Sequence, residues 1–267
     1  MLKKEIIFCY NSYIRIKFTY MKQLLILFII LFQVNVVFGQ NMALDFSFID
    51  AKNPGVYDDH LNTYFKGYNQ KLIDDGQIMG WHVWKVINGP QEPFTHVVVA
   101  IYDLDKMDDD YTSDTWAERM PNITQSHREM IGQNIGENRK IVGTTTVVNL
   151  AEVLQKGVTE YPDVVVMNLM KAKHGKYKSY EDLEKSLTPS IPENAARKGW
   201  SLAKRIDRIG TEMSWTHFTV DWYDTYSDYL KEASQPSKDA DKAYEKMMKL
   251  RDLTDRVVLE KFIFLNK

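Results

Sequence analysis

The sequence predicts an α+β protein in which two β-α-β-β-α-β repeats are fused into one pseudo-symmetric α+β barrel. Three observations predict it. The first is an internal self-match. Gly80-Trp81-His82-Val83-Trp84-Lys85-Val86-Ile87 aligns with Gly199-Trp200-Ser201-Leu202-Ala203-Lys204-Arg205-Ile206 at an offset of 119, with Gly, Trp, Lys and Ile coinciding. Thr95-His96-Val97-Val98-Val99-Ala100-Ile101-Tyr102-Asp103 then aligns with Thr216-His217-Phe218-Thr219-Val220-Asp221-Trp222-Tyr223-Asp224 at an offset of 121, with Thr, His, Val, Tyr and Asp coinciding. A two-residue difference in the intervening hairpin loop accounts for the change of offset. The second observation is that the two halves, residues 41–150 and 160–267, read as the same order of elements. The third is that one face of such a sheet is covered by helices and the other must also be buried, which two facing sheets achieve by closing on each other.

Each half opens with a strand, Leu44 to Ile49 and Val164 to Met170, both β-branched or aromatic runs between polar residues. A helix follows. In the first half Leu61, Tyr64, Phe65, Tyr68, Leu72 and Ile73 recur at helical spacing and Gly76 is placed to end the helix. In the second, Ser179 with Asp182 resembles a capping box ahead of Leu183 and Leu187, Pro189 and Pro192 break the helix, and Gly199 is expected to cap a second short turn. The Gly-Trp strand, a hairpin and the Thr-His strand come next. A carboxy-terminal helix runs from Asp239 to Leu253 in the second half, and its counterpart is split by Pro121. The closing strands are Ile141 to Val148 and Val257 to Leu265.

The formal net charge is −2. Residues 1–39 carry Lys3, Lys4, Arg15, Lys17 and Lys22 against Glu5 alone, a net of +4 that leaves −6 on the rest. An acidic body offers no electrostatic footprint for nucleic acid. Met21-Lys22, the apolar run Leu24 to Phe32, and Val37 and Gly39 at the −3 and −1 positions form a secretory signal over 21–39, with Gln40 as the new amino terminus. The apolar stretch is shorter than a spanning helix needs. Residues 1–20 fit no targeting pattern and read as an upstream extension before a true start at Met21. The expected protein is exported, periplasmic or secreted, with no membrane span after signal removal. Cys9, the only cysteine, falls in the removed part, so the mature chain has no disulfide and no thiolate ligand.

Strand alternation sorts the central strands into two layers. Val97, Val99 and Ile101, matched by Phe218, Val220 and Trp222, are uniformly apolar and are expected under the helices, as are Trp81, Val83, Trp200 and Leu202. Lys85 and Lys204 are expected to reach out at the sheet's end. The opposite faces give a lumen holding His82, Trp84, His96, Tyr102, Arg205, His217, Asp221 and Tyr223. His217 and Asp221 share a face but lie about 13 Å apart along an ideal strand, so they read as two ends of one pocket. On that reading His217→Ala lowers ligand binding more than His96→Ala. The alternative is that both histidines are structural and hydrogen-bond between the sheets. His82, His96, His217 and Asp221 would make a zinc or iron set if they converged, but no close ligand pair such as H-x-x-x-H occurs and no metal is expected. Asp103 to Asp110 lacks a ligand at Met107 and a glycine at position 108, so it reads as a solvated acidic turn.

These repeats are the ferredoxin-like unit, and the duplicated arrangement resembles the dimeric α+β-barrel superfamily in a fused, single-chain form, similar in layout to NIPSNAP-like and antibiotic-biosynthesis-monooxygenase-like proteins. The resemblance covers Leu44 to Leu265. The duplication predicts a monomer, because each half supplies the sheet that the other needs to close the barrel. The resemblance implies a small apolar or aromatic ligand in the lumen and oxygenase-like chemistry, against the alternative of a non-catalytic exported binding or interaction protein. Some relatives use haem, ligated from the carboxy-terminal helix. The matching helix here has no histidine, so no cofactor is expected.

Overall fold

The computed structural model describes residues 41–88, 93–107, 116–235 and 240–267. The expected extension (1–20) and signal peptide (21–39) lie outside the described residues. Strand β1 (Met42–Ala51) leads into helix α1 (Pro54–His60), a π-helical turn (Leu61–Phe65) and helix α2 (Lys66–Asp74). Asn53 starts this run by accepting a hydrogen bond from the Val56 amide, with Pro54 in the first turn, where its missing N–H costs nothing. Gly76 ends it at φ 73°, a left-handed conformation that a side chain resists. Strands β2 (Gly80–Val86) and β3 (His96–Asp103) follow, then helices α3 (Trp116–Arg119) and α4 (Gln125–Asn138) and strand β4 (Arg139–Leu154). The second half repeats the order: β5 (Val164–Ala172), α5 (Tyr177–Leu187), β6 (Arg197–Arg205), β7 (His217–Tyr223), α6 (Tyr226–Ala233), α7 (Ala240–Met248) and β8 (Arg251–Asn266).

All eight strands pair antiparallel in one closed barrel, in the order β1-β3-β2-β8-β5-β7-β6-β4. Each half supplies the ferredoxin-like order, 4-1-3-2 and 8-5-7-6. The two longest strands join the halves. β4 pairs with β1 and then, from Val147 on, with β6, while β8 pairs with β5 and then, from Leu259 on, with β2. The closing strands are therefore longer than their apolar cores suggest. The carboxy-terminal helix is correspondingly shorter, because Arg251 and Leu253 pair with Ala172 and Met170 as strand. Helix α5 begins a turn before Ser179, without a side-chain cap, so the capping box does not form.

The duplicated glycines are strand residues. A Cβ on Gly199 would lie 2.7 Å from the Trp222 ring and 2.8 Å from Leu154, and one on Gly80 would meet the Leu265 carbonyl at 3.0 Å. Close approach, not a helix cap, explains Gly199.

Register decides which face is which. In β2–β3, Trp81 sits opposite Ala100, Val83 opposite Val98 and Lys85 opposite His96. Directly opposed residues share a face. Since Trp81 and Val83 pack under α1 and α2, so must His96, Val98 and Ala100. The reverse faces, Trp84, Val97 and Val99 with Ala203, Phe218, Val220 and Trp222, form the lumen core. The expected layers are thus right for β2 and β6 and inverted for β3 and β7. Uniform apolarity misled there, because in a barrel the lumen is as apolar as the helix interface. Among the described residues no helix is long and apolar enough to cross a membrane.

Candidate ligand-binding site

Inversion of β3 and β7 removes five of the eight expected lumen residues. His96 and His217 are fully buried under the helices. His96 Nε2 lies 2.9 Å from Asp58 Oδ1, Asp58 also meets Lys85 at 2.6 Å, and Thr95 Oγ1 lies 2.8 Å from His96 Nδ1. His217 repeats this with Glu181 at 3.2 Å, Lys204 on the same carboxylate at 3.2 Å, and Thr216 at 2.9 Å from Nδ1. Tyr57 and Tyr180 pack edge-on to the two imidazoles. Burial pushes both histidines below their ordinary pKa, against the pull of the carboxylates. The neutral ring that fits donates from Nε2 to the carboxylate and accepts at Nδ1 from the threonine hydroxyl. Each histidine pins its first helix to the sheet. Lys85 and Lys204, expected to point outward, belong to the same clamps.

Asp221 lies on the outer face as well, paired with Arg197 at 2.9 Å and Asn168 at 3.0 Å. Tyr223 packs with Val164, Val166 and Val258, and Tyr102 packs in the cluster beneath α2. Arg205 points to the other end of the barrel, bidentate on Asp207 and over the Trp215 ring at 5.0 Å. His82, His96 and His217 therefore do not converge. Among the described residues no three His, Cys, Asp or Glu side chains group as a metal set. The described part of the acidic turn is a short 3-10 helix in which Asp103 accepts from the Asp105 amide.

His82 and Trp84 do face the lumen. They line a cavity of about 360 Å3 at the end where β1, β2, β5 and β6 begin. That volume lies within the range of small-molecule sites. Phe48, Phe94 and Trp215 pack the opposite end. The walls are mostly apolar: Phe46, Val99, Met167, Phe218, Val220 and Leu259. Trp84, Trp222, Tyr161 and Phe264 form one connected aromatic group, with ring centroids 4.8–5.8 Å apart. His82 stacks on Phe264 at 3.4 Å and donates from Nε2 to Asn266 Oδ1 at 2.8 Å. Burial, helped by the Lys261 charge, lowers its pKa to about 4, so the ring is neutral at pH 7.

Polar groups enter from β4. Asn149 faces the lumen by ordinary alternation from Val147, and a bulge between Asn149 and Ala151 puts Leu150 and Ala151 together on the outside and turns Glu152 inward as well. Tyr161 donates to Glu152 at 3.0 Å, and burial raises the pKa of both. Among the described residues the buried Asn149 Oδ1 and Trp222 Nε1 have no hydrogen-bond partner. Sequence reasoning missed Asn149, Glu152, Tyr161, Phe264 and Asn266 as site residues. A bulge carries no period-two signal, and residue 161 sits in a connector. Trp222 was legible, but on the wrong face.

No protein-family model matches the chain, and no curated protein does. Solved structures share the fold. A proposed monooxygenase of Fusobacterium nucleatum is 12% identical, with 86% of this chain and 96% of that chain covered and a TM-score of 0.51. An anthrone oxidase-like protein is 10% identical over 84% and 92%, with a TM-score of 0.55. A proposed monooxygenase of Lactobacillus acidophilus is 9% identical over 85% and 97%, with a TM-score of 0.50. The likeness bears out the fold, a fused ferredoxin-like α+β barrel.

Proposed function

We propose that this protein binds a small, largely apolar or aromatic molecule in the barrel lumen. The carrying observation is the 360 Å3 cavity, walled by aliphatic and aromatic side chains and touched by a few polar groups at one end. The finer reading, oxygenase-like chemistry on that molecule, is supported by the shared fold with the proposed monooxygenases and the anthrone oxidase-like protein. His82 supplies a neutral ring nitrogen system at the cavity wall for such chemistry. We further propose that the protein is exported and monomeric. The 21–39 pattern supports export, and closure of the barrel within one chain supports the monomer.

Calorimetric titration with naphthalene and indole tests the binding reading: a saturable one-site isotherm is expected. No heat and no thermal stabilisation with either would favour the scaffold alternative, in which the aromatic side chains fill the lumen. Oxygen uptake with hydroxylated aromatics, without added cofactor, tests the oxygenase reading. Amino-terminal sequencing of the extracytoplasmic form should begin at Gln40.

A further inference from the structure

Among the described residues that line the lumen cavity, Glu152 is the only acidic side chain. It stands at the mouth, exposed to solvent on one side and set against the aromatic wall on the other. Burial raises its pKa, and what opposes that is the Tyr161 hydrogen bond, with no lysine or arginine charge bearing on it. Lys267, the basic residue of the same lining, makes no ion pair with it. Lys261, close by, is taken by Asp163 at 2.7 Å and by the Tyr161 carbonyl at 2.7 Å. A wholly apolar ligand would cover this carboxylate and leave its charge unmatched.

Tyr161 joins the carboxylate to the aromatic group. Its hydroxyl donates to Glu152 Oε1 at 3.0 Å, which leaves Oε2 to accept from a ligand. Its ring lies 4.8 Å from Trp222 and 5.8 Å from Phe264. Phe264 is already engaged, stacked on His82 and carrying the Lys261 ammonium at 5.6 Å, so Tyr161 and Trp222 are the rings open to a ligand. Aromatic rings attract cations, and a carboxylate accepts charge-assisted hydrogen bonds from an ammonium. Both attractions meet at one point of the wall. We propose that the lumen ligand is a protonated amine on an apolar or aromatic frame, with its ammonium between Glu152 Oε2 and the Tyr161 and Trp222 rings and its frame in the cavity. This rests on the lumen-binding reading and adds the charge of the ligand. The neutral polar groups of the lining, such as Ser201 and Asn266, do not discriminate by charge.

Three probes that share one ring system test it by calorimetry at pH 7: 1-naphthylmethylammonium, the neutral 1-naphthylmethanol and the anionic 1-naphthoate. The ammonium is expected to bind about tenfold more tightly than the alcohol, and the naphthoate more weakly than either. Glu152→Gln can still accept from Tyr161 but carries no charge, and it should bring the ratio of ammonium to alcohol affinity to about one. Tyr161→Phe, which releases the carboxylate from its anchor, should also lower that ratio. Circular dichroism confirms that each variant is folded, and the comparison of probes needs only the native protein. Equal affinity for ammonium and alcohol would overturn the charge rule and leave the lumen reading standing. A preference for the ammonium that survives in folded Glu152→Gln would overturn it too, by showing that the acidic body draws the amine elsewhere. Failure of all three probes to bind would overturn both readings.

Discussion

His96 and His217 each place one ring nitrogen against a helix carboxylate and the other against a threonine hydroxyl. Both are fully buried and both are away from the lumen. The sequence expectation that His217→Ala weakens ligand binding more than His96→Ala therefore gives way to a symmetric one. Each substitution should cost about 3 kcal/mol of stability in denaturant unfolding, through the lost hydrogen bonds and the space left behind. Neither should alter binding of a lumen probe. The third buried histidine behaves differently with pH. His82 is pushed from the ordinary 6.5 to about 4, so the unfolded chain takes up its proton first. Its contribution, about 3 kcal/mol, is fully present above pH 6.5 and is lost as pH falls toward 4. Glu152 and Glu184 are raised by burial and work in the opposite direction. The difference between the native and His82→Gln unfolding profiles isolates the histidine, and the native protein should lose more stability between pH 6.5 and 4. The duplication of Thr-His was legible in the sequence; its meaning was not, because the acidic partners Asp58 and Glu181 come from helices far away in the chain.

At the scale of elements, the strands were legible and their faces only half so. β2 announces its outer face through Trp81 and Val83, and its lumen face through His82 and Trp84. β3 and β7 are apolar on both sides, and only their register against β2 and β6 fixes them. The extra length of β4 and β8 was invisible because the bridging residues, such as Asn149 and Glu152, are polar or sit beyond a bulge. The Gly-Trp repeat has a testable meaning. Gly199→Ala drives a Cβ into the Trp222 ring and Leu154, within a packed wall. A loss of about 1–3 kcal/mol is expected. Because Trp222 lines the cavity, weaker probe binding should accompany it. Gly76→Ala meets open space but keeps a positive φ, and its cost should be nearer 1 kcal/mol with binding unchanged. Thermal unfolding and calorimetry on the two variants separate the effects.

The whole molecule is two similar sheets that close on each other through β2–β8 and β4–β6. Each half alone would expose Phe46, Trp84, Val97 and Val99, or Phe218, Val220 and Trp222, to water. Half one, expressed by itself, should therefore aggregate or self-associate in sedimentation measurements, whereas residues 41–267 should run as a monomer. The lumen that results is asymmetric. One end is packed by Phe48, Phe94 and Trp215, and the other is hollow. That hollow is the central claim, and Ala203 sits on its wall. Calorimetric titration of naphthalene into the native protein and into Ala203→Phe tests it most directly. The account predicts a one-site isotherm for the native protein and at least a tenfold loss of affinity when the phenyl ring occupies the cavity, with the circular dichroism spectrum unchanged. Equal affinity in a folded Ala203→Phe variant would contradict it, by showing that the ligand binds somewhere other than the lumen.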